Sequence, residues 1–344
     1  INTYEGDTQL VIDESSAVVE LFNEQPTQRS EPTVTASQGS GGEKSITKES
    51  ITTSTAASQS AGPEDSRGIP PAIAGGPTVD VSYSDLRKES EPIGRGGEAV
   101  VYGATLQADR HQQYLALKEP DQRETLHAET VERFLKEAQT WKRLADHDHI
   151  VDVVGWGSQP LPWIAMEYMD GSNLQSRAGA LSLNQAVWTA VSICKAIRYA
   201  HNRGVHHYDI KPQNVLFRTV AGEYYDIPKV ADWGLAEQAL LSGGGKKGVT
   251  PAHAAPEQLF DEYGEPDHRT DIYQLGLLSY ELFTGTHPYE GDVSRIRSTD
   301  ITPPTEIDPE LPDELDTILS TALEIDPTDR YEDVLDLRRA LDGL

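Results

Sequence analysis

The stretch His207-Tyr208-Asp209-Ile210-Lys211-Pro212-Gln213-Asn214, followed at once by the apolar Val215-Leu216-Phe217, limits this chain more than any other. A carboxylate, an ammonium and a carboxamide lie close together in one loop, between a helical pattern ending near Ala200 and a short apolar run. The fold must hold that loop rigidly. The chemistry these groups suit is displacement at phosphorus. Asp209 would accept or orient a hydroxyl proton. Lys211 would neutralise charge on a transferred phosphoryl group. Asn214 would offer an amide oxygen to Mg²⁺. A plain polar loop is the bland alternative, but Asp-x-Lys-Pro-x-Asn before an apolar run is long and specific.

Three weaker elements flank it. Ile93-Gly94-Arg95-Gly96-Gly97-Glu98-Ala99-Val100-Val101-Tyr102 is a glycine loop followed by a β-branched strand. Glycines let backbone N–H groups approach phosphate oxygens. Alone, this is equally a glycine-containing hairpin. Lys118, in Ala116-Leu117-Lys118, sits in an apolar strand and needs partners for its charge. Glu137 falls on the inward stripe of the next predicted helix and is the candidate carboxylate; an edge-strand lysine reaching solvent is the alternative. Asp232-Trp233-Gly234 supplies a second metal ligand in Asp232, although an isolated Asp-x-Gly is an ordinary turn.

Periodicity places these elements in two unlike halves. Short β-branched runs appear at 99–102, 114–118, 150–154 and 164–168. A helical stripe of Val131, Phe134, Leu135, Ala138, Trp141 and Leu144 separates the second run from the third. Beyond residue 180 the pattern is mostly helical, with buried helices predicted over 187–199 and 272–283. The expected fold class is α+β, a small β-rich lobe before a larger helical lobe, with a ligand cleft between them.

Residues 1–80 read as a largely disordered Ser/Thr/Gly-rich segment and linker, and residues 81–344 as one domain. From Pro26 to Gly62 there is too little apolar surface to offset ordering entropy. The Pro/Gly cluster Gly68–Pro77 reads as a linker. The more apolar residues 10–22 suggest the remnant of an upstream domain or a short docking segment. The chain opens on Ile1, so a fragment or processed product is expected, with an unseen upstream region that could anchor it.

The net charge of −27, from 56 acidic and 29 basic residues, argues against nucleic acid as a partner. Self-repulsion at this charge asks for screening, which reads as adaptation to high salt of the halophilic archaeal kind; an ordinary acidic cytosolic protein is the alternative. The single cysteine, Cys194, allows no intrachain disulfide and fits a cytoplasmic location. No apolar run approaches the roughly 20 residues of a membrane helix.

In this order, the elements resemble the eukaryotic-type (Hanks-type) serine/threonine protein kinases over about residues 82–344. Further matches are Thr250-Pro251-Ala252-His253-Ala254-Ala255-Pro256-Glu257, Asp271-Ile272-Tyr273-Gln274-Leu275-Gly276, and Asp326-Pro327-Thr328-Asp329-Arg330, whose arginine would pair with Glu257. The resemblance implies a bilobal kinase fold, with an N-lobe of about 81–168 and a C-lobe of about 169–344. It implies ATP and Mg²⁺ (or Mn²⁺) as cofactors and protein substrates as partners. Asp209 and Lys211 would be catalytic, and Asn214 and Asp232 metal ligands. Nucleotide would be held by Ile93, Gly94, Gly96, Gly97, Val101, Ala116, Lys118, Glu137, the hinge backbone at Glu167 and Met169, Asn173 and Leu216. Met166 would be the gatekeeper, and Trp141, His207 and Trp233 would stack as a spine.

Three positions depart from the family pattern. Ala99 replaces the third loop glycine, Trp233 replaces the phenylalanine after the metal aspartate, and Tyr208 replaces an arginine that usually receives a phosphorylated activation loop. Activity without phosphorylation at Ser242 is therefore expected. Thr250 favours Ser/Thr over Tyr acceptors and is expected to contact the catalytic pair. The Ser/Thr-rich stretch 27–60 is a candidate for autophosphorylation, with a passive tether as the alternative. A pseudokinase scaffold is the competing function. His147, His149 and His206 read as structural.

Overall fold

The computed structural model describes residues 67–73, 75–76, 81–96, 99–108, 111–121, 126–234, 250–291, 293–297 and 301–344, and the backbone course of 8–13 and 18–23. Gly97 and the segment around Ser242 lie outside the described residues, as does the Ser/Thr-rich stretch.

The first lobe is built on an antiparallel sheet of five strands, in the order β3-β4-β5-β8-β7. Its strands are β3 (Leu86–Arg95), β4 (Ala99–Ala108), β5 (His111–Pro120), β7 (Val153–Gly157) and β8 (Trp163–Glu167). Strands β5 and β8 are central and almost wholly buried where they pair, with Ala116 opposite Met166. A buried strand needs apolar side chains on both faces, which is why 114–118 and 164–168 were readable as strands. Strand β3 is an edge strand, charged and mostly exposed, a composition that blunts further pairing.

Helix α1 (Ala128–Leu144) packs against this sheet. Its buried stripe is Phe134, Glu137, Ala138, Thr140, Trp141 and Leu144. Burying each large apolar side chain of that stripe stabilises by about 1.5–3 kcal/mol, enough to carry Glu137 inward with it. Just before α1, the short β6 (Leu126–His127) pairs with β2 (Val18–Asn23), which pairs in turn with β1 (Thr8–Asp13). The apolar residues 10–22 thus coincide with a hairpin.

The second lobe is helical. Helix α2 (Leu183–His201) starts at Ser182, whose hydroxyl accepts the Gln185 N–H. It packs on the short β9–β10 ribbon (Val215–Arg218, Ile227–Val230) and on α7 (Val334–Leu341). The short α3 (Pro256–Leu259) precedes α4 (His268–Thr284), which is buried on nearly every side. Asp267 caps α4, and Gly285 ends it at φ 72°, where a glycine is the easy residue. Helices α5 (Pro304–Ile307) and α6 (Glu314–Ala322) close the base.

Cys194 is fully buried on α2, and burial pushes its thiol up to about 12, as suits a packing residue. The Pro/Gly cluster expected to be a linker does not run free where it is described. Gly68 bridges to Tyr224, Pro70 is buried, and Ile73 packs against Trp188, Tyr225 and Ile227.

Candidate active site

The two lobes meet around Lys118, Glu137, Asp209, Asn214 and Asp232. Strand β5 carries Lys118 to the lobe boundary, and α1 turns Glu137 toward it. The Lys118 ammonium donates to Glu137 Oε1 at 2.6 Å and to Asp232 Oδ1 at 3.0 Å. Lys118 and Glu137 are each 8% exposed, so this lysine does not reach solvent from an edge. Burial alone would lower the Lys118 pKa, but the Asp232 and Glu137 carboxylates outweigh it and hold the ammonium well above its ordinary value. Asp232 is held below the usual carboxylate range because Lys118 outweighs its own burial.

Asp232 has φ 63°, an uncommon conformation for a residue with a side chain. It is held there by Lys118 and by the packing of its neighbour Trp233, which is fully buried and meets the His207 ring at a 49° tilt with centroids 4.6 Å apart. Trp141 lies in the same core and donates its indole N–H to the Val151 carbonyl at 2.7 Å. A Cβ on Gly234 would stand 3.0 Å from Glu137 Oε2, so the backbone passes where a side chain would crowd the ion pair.

The catalytic loop is pinned from below by α4. Both Asp271 oxygens accept backbone N–H groups, from His207 and Tyr208, each at 2.8 Å. His201 Nε2 lies 2.7 Å from Asp271 Oδ2. Burial opposes the charge on Asp271, but these donors outweigh it and keep its carboxyl below the usual range. Gln274 accepts the Ile210 N–H at 2.9 Å, and the Tyr208 carbonyl accepts from both Gln258 and Gln274. These bonds hold Tyr208 at φ 61°. Such strain persists only where the surroundings over-determine it, and it clusters at functional sites. The sequence pattern places Asp271 in a core helix but gives neither it nor Gln258 or Gln274 this task; a polar pair inside a buried helix is the available signal.

Within the loop, Lys211 Nζ lies 2.5 Å from Asp209 Oδ2 and 2.6 Å from Thr250 Oγ1. Asn214 donates its amide to the Asp209 carbonyl at 2.9 Å, which leaves its side-chain oxygen as the atom for a cation. Asp209 Oδ1 is buried with no hydrogen-bond partner. A buried carboxylate oxygen left bare is costly, and a substrate hydroxyl or a metal-bound group would satisfy it. Asp232 faces the same region with its side chain 46% exposed. The donor set is all oxygen, as Mg²⁺ requires, so the residues fit the metal.

The nucleotide residues expected on the sheet fall together beside this centre. Ala116 and Met166 are buried, and Val101 and Leu216 pack against the same core. Gly94 pairs with Val101 and Gly96 donates to the Ala99 carbonyl at 2.8 Å, while Ile93 is 46% exposed at the rim. Met169 lies buried on the hinge that follows β8. The side chain of Glu167 is turned away from the hinge, to the Asp152 N–H, Lys229 and Arg218. Asn173 caps the turn that follows it by accepting the Ser176 N–H.

Glu257 and Arg330 form a fully buried bidentate pair, both bonds 2.8 Å. His253 Nε2 lies 2.7 Å from Glu281 Oε1, and His287 Nε2 lies 2.9 Å from the Ala252 carbonyl. These three residues have the spacing of a metal cluster. However, His287 Nδ1 accepts the N–H groups of Tyr289 and Gly291, so its proton is assigned to Nε2, leaving no lone pair for a cation. The trio braces the segment after Thr250 against α4.

A β-rich lobe and a helical lobe that bring a lysine–glutamate pair, two metal-type ligands and a loop aspartate together define a phosphotransferase of two lobes. Residues 87–337 match the model of the protein kinase domain, and the chain belongs to the protein kinase family. It is 31% identical over 261 residues to the serine/threonine-protein kinase Pkn1 of Myxococcus xanthus, covering 72% of this chain and 37% of that protein. It is 32% identical over 229 residues to the serine/threonine-protein kinase PknB of Mycolicibacterium smegmatis, covering 61% of this chain and 35% of that one. The kinase domain of PknI from Mycobacterium tuberculosis superposes with a TM-score of 0.57 at 26% identity, over 79% of this chain and 99% of that domain. The chain thus spans about a third of the length of the curated relatives it matches. These relatives are bacterial and lend no support to a halophilic archaeal origin. Among the described residues no helix is long and apolar enough to cross a membrane.

Proposed function

We propose that the chain transfers the γ-phosphoryl group of ATP to serine or threonine hydroxyls of proteins. The observation that carries this is the joined constellation of Lys118, Glu137 and Asp232 on one side and Asp209, Lys211, Thr250 and Asn214 on the other. Lys118, locked by Glu137, is placed to hold nucleotide phosphates. Asp209 orients the acceptor hydroxyl and takes its proton as the new O–P bond forms and the bond to the β-phosphate oxygen breaks. Lys211 neutralises charge on the moving phosphoryl group. Asn214 and Asp232 would hold Mg²⁺, or Mn²⁺, which supplies charge neutralisation between the phosphates.

Adenine lies, in this reading, between Val101, Ala116 and Leu216, hydrogen-bonded to the backbone at Glu167 and Met169. Ile93, Gly94, Gly96 and Gly97 cover the phosphates, and Asn173 meets the ribose. The kinase domain spans 81–344, with N-terminal residues as a tether that serves as a candidate substrate in cis. A cytoplasmic location fits the need for ATP and is compatible with the single buried Cys194, with an unseen upstream region that could anchor the chain elsewhere. The acid excess supports best performance at raised salt. A pseudokinase scaffold would ask for a broken constellation, whereas Lys118 pairs with Glu137 and Asp232, and Asp209 with Lys211 and Asn214.

The test is phosphotransfer from Mg-ATP to a generic protein substrate, comparing the wild type with Asp209→Asn. Activity lost on substitution supports the reading. Equal, near-zero signal in two folded proteins would replace it with the scaffold.

A further inference from the structure

The residues just before the kinase domain cross the seam between the lobes. At the helical lobe, the Gly68 N–H donates to the Glu223 carbonyl at 2.9 Å, and the Tyr225 N–H donates to the Gly68 carbonyl at 2.8 Å. Arg67 donates to Gln185 on α2 at 3.1 Å. Ile73 adds to the small apolar cluster of Trp188, Tyr225 and Ile227. At the β-rich lobe, Gly76 passes so close to Asp152 that a Cβ there would stand 2.3 Å from Asp152 Oδ2 and 2.5 Å from its Cβ. Val81 is buried with Leu115, Leu117, Val154 and Trp163, and its carbonyl lies against Gly155.

Asp152 is not a neutral landing point. Its N–H donates to Glu167 Oε1 at 2.8 Å, and its carbonyl accepts the Glu167 N–H at 2.9 Å. Glu167 is the first residue of the hinge, and its carboxylate also receives Lys229 and Arg218 from the β9–β10 ribbon of the other lobe. Lys142 of α1, one turn beyond the Glu137 that holds Lys118, donates to the Val153 carbonyl at 2.6 Å and lies 3.6 Å from Asp152. The segment therefore touches both lobes, and meets the β-rich lobe at the root of the hinge.

We propose that the described residues 67–73, 75–76 and 81 act as an inter-lobe strap whose docking and nucleotide binding in the cleft favour one another. Nucleotide held between the glycine loop, the hinge and Asp232 fixes one disposition of the lobes. A strap anchored on Tyr224–Tyr225 at one end and at Asp152 and Val81 at the other fixes the same disposition. Two ligands of a single conformation are positively coupled, and the coupling is reciprocal. The N-terminal residues would act on the active site through this strap, because whatever draws on residue 67 draws on the root of the hinge.

The proposal rests on the nucleotide site described above, and its test separates the two. Hydrogen exchange is measured on the full chain with and without Mg²⁺ and a non-hydrolysable ATP analogue. Protection of residues 94–101 reports binding itself. With the analogue bound, the peptides holding the Gly68 and Tyr225 amides should exchange more slowly. In Ile73→Asp and Gly76→Val, the analogue's dissociation constant should rise about fivefold or more, the lower end of usual coupling. If 94–101 become protected while the 67–73 and 223–226 peptides are unchanged, the coupling is overturned and the nucleotide site stands. If nothing binds, both fall. Fast exchange of 67–73 in every state, or unchanged analogue affinity when the variants have lost strap protection, also overturns it.

Discussion

Lys211 and Thr250 sit Nζ to Oγ1 at 2.6 Å, joining the catalytic loop to the residue that opens the Pro251–His253 turn. The same ammonium lies 2.5 Å from Asp209. Thr250 thus decides where Lys211 points, and through it where the Asp209 carboxylate points. Removing the hydroxyl in Thr250→Val should lower kcat by about 10- to 100-fold, the scale of a small misplacement of catalytic groups. Thr250→Ser should retain most activity. Steady-state assays of both variants check this, and equal activity in Thr250→Val and wild type would remove the role.

Lys118→Met should abolish transfer and also weaken the fold. It leaves Glu137 buried without its cation, and breaking one partner of a buried pair costs about 3–5 kcal/mol before protonation relieves it. Urea unfolding of the variant should therefore show a lower midpoint at pH 8 than at pH 6, relative to wild type, because proton uptake by the stranded carboxyl becomes easier as pH falls. A wild-type midpoint at both pH values would show the pair to be dispensable for stability.

His149 supplies an acid-sensitive term. Burial holds its imidazole down, to about 4, although its contact with the Pro228 carbonyl works the other way. The folded value lies below the unfolded one of about 6.5. The unfolded chain therefore binds the extra proton between those values, and stability falls with pH in that window, levelling off below it. The loss at this residue should be about 3 kcal/mol by the linkage relation. Unfolding free energies of wild type and His149→Asn, measured between pH 7 and pH 4.5, should converge as pH falls.

Tyr208 is buried, and its phenol meets His206 at 2.8 Å and the Pro266 carbonyl at 3.3 Å. It offers no positive charge to a phosphorylated loop. Ser242→Ala should accordingly leave kcat/KM unchanged, and phosphatase treatment of the wild type should do the same. A large loss from either would mean that another cation takes up the missing arginine's part.

The net charge of −27 predicts a salt response. Screening lowers self-repulsion, so the thermal midpoint should rise on going from dilute buffer to molar KCl. A midpoint that falls would leave the acid excess without a stabilising partner in salt.

Some of this was legible in order and spacing alone. The apolar runs of β5 and β8 and the stripe of α1 follow from burial, which imposes a period on the sequence. Asp209, Lys211, Asn214 and Asp232 stand in loops next to such runs, so their grouping could be inferred. Strand β3 was missed because an edge strand with Arg87, Lys88, Glu89 and Glu91 exposed carries no apolar period. The docking of Gly68, Ile73 and Gly76 was not legible because their partners Tyr225, Trp188 and Asp152 lie far along the chain and leave no local mark.

The sequence by itself determined which chemical groups this protein could bring to phosphorus, because their types and order survive in the chain whatever its shape. Only the tertiary structure decided how they are held. Lys118, Glu137 and Asp232 become one ion-paired unit only where a strand, a helix and a loop converge. Asp271, Gln258 and Gln274 become supports for the catalytic loop only because burial forces each buried polar group to find a partner, and the nearest partners are that loop's own backbone.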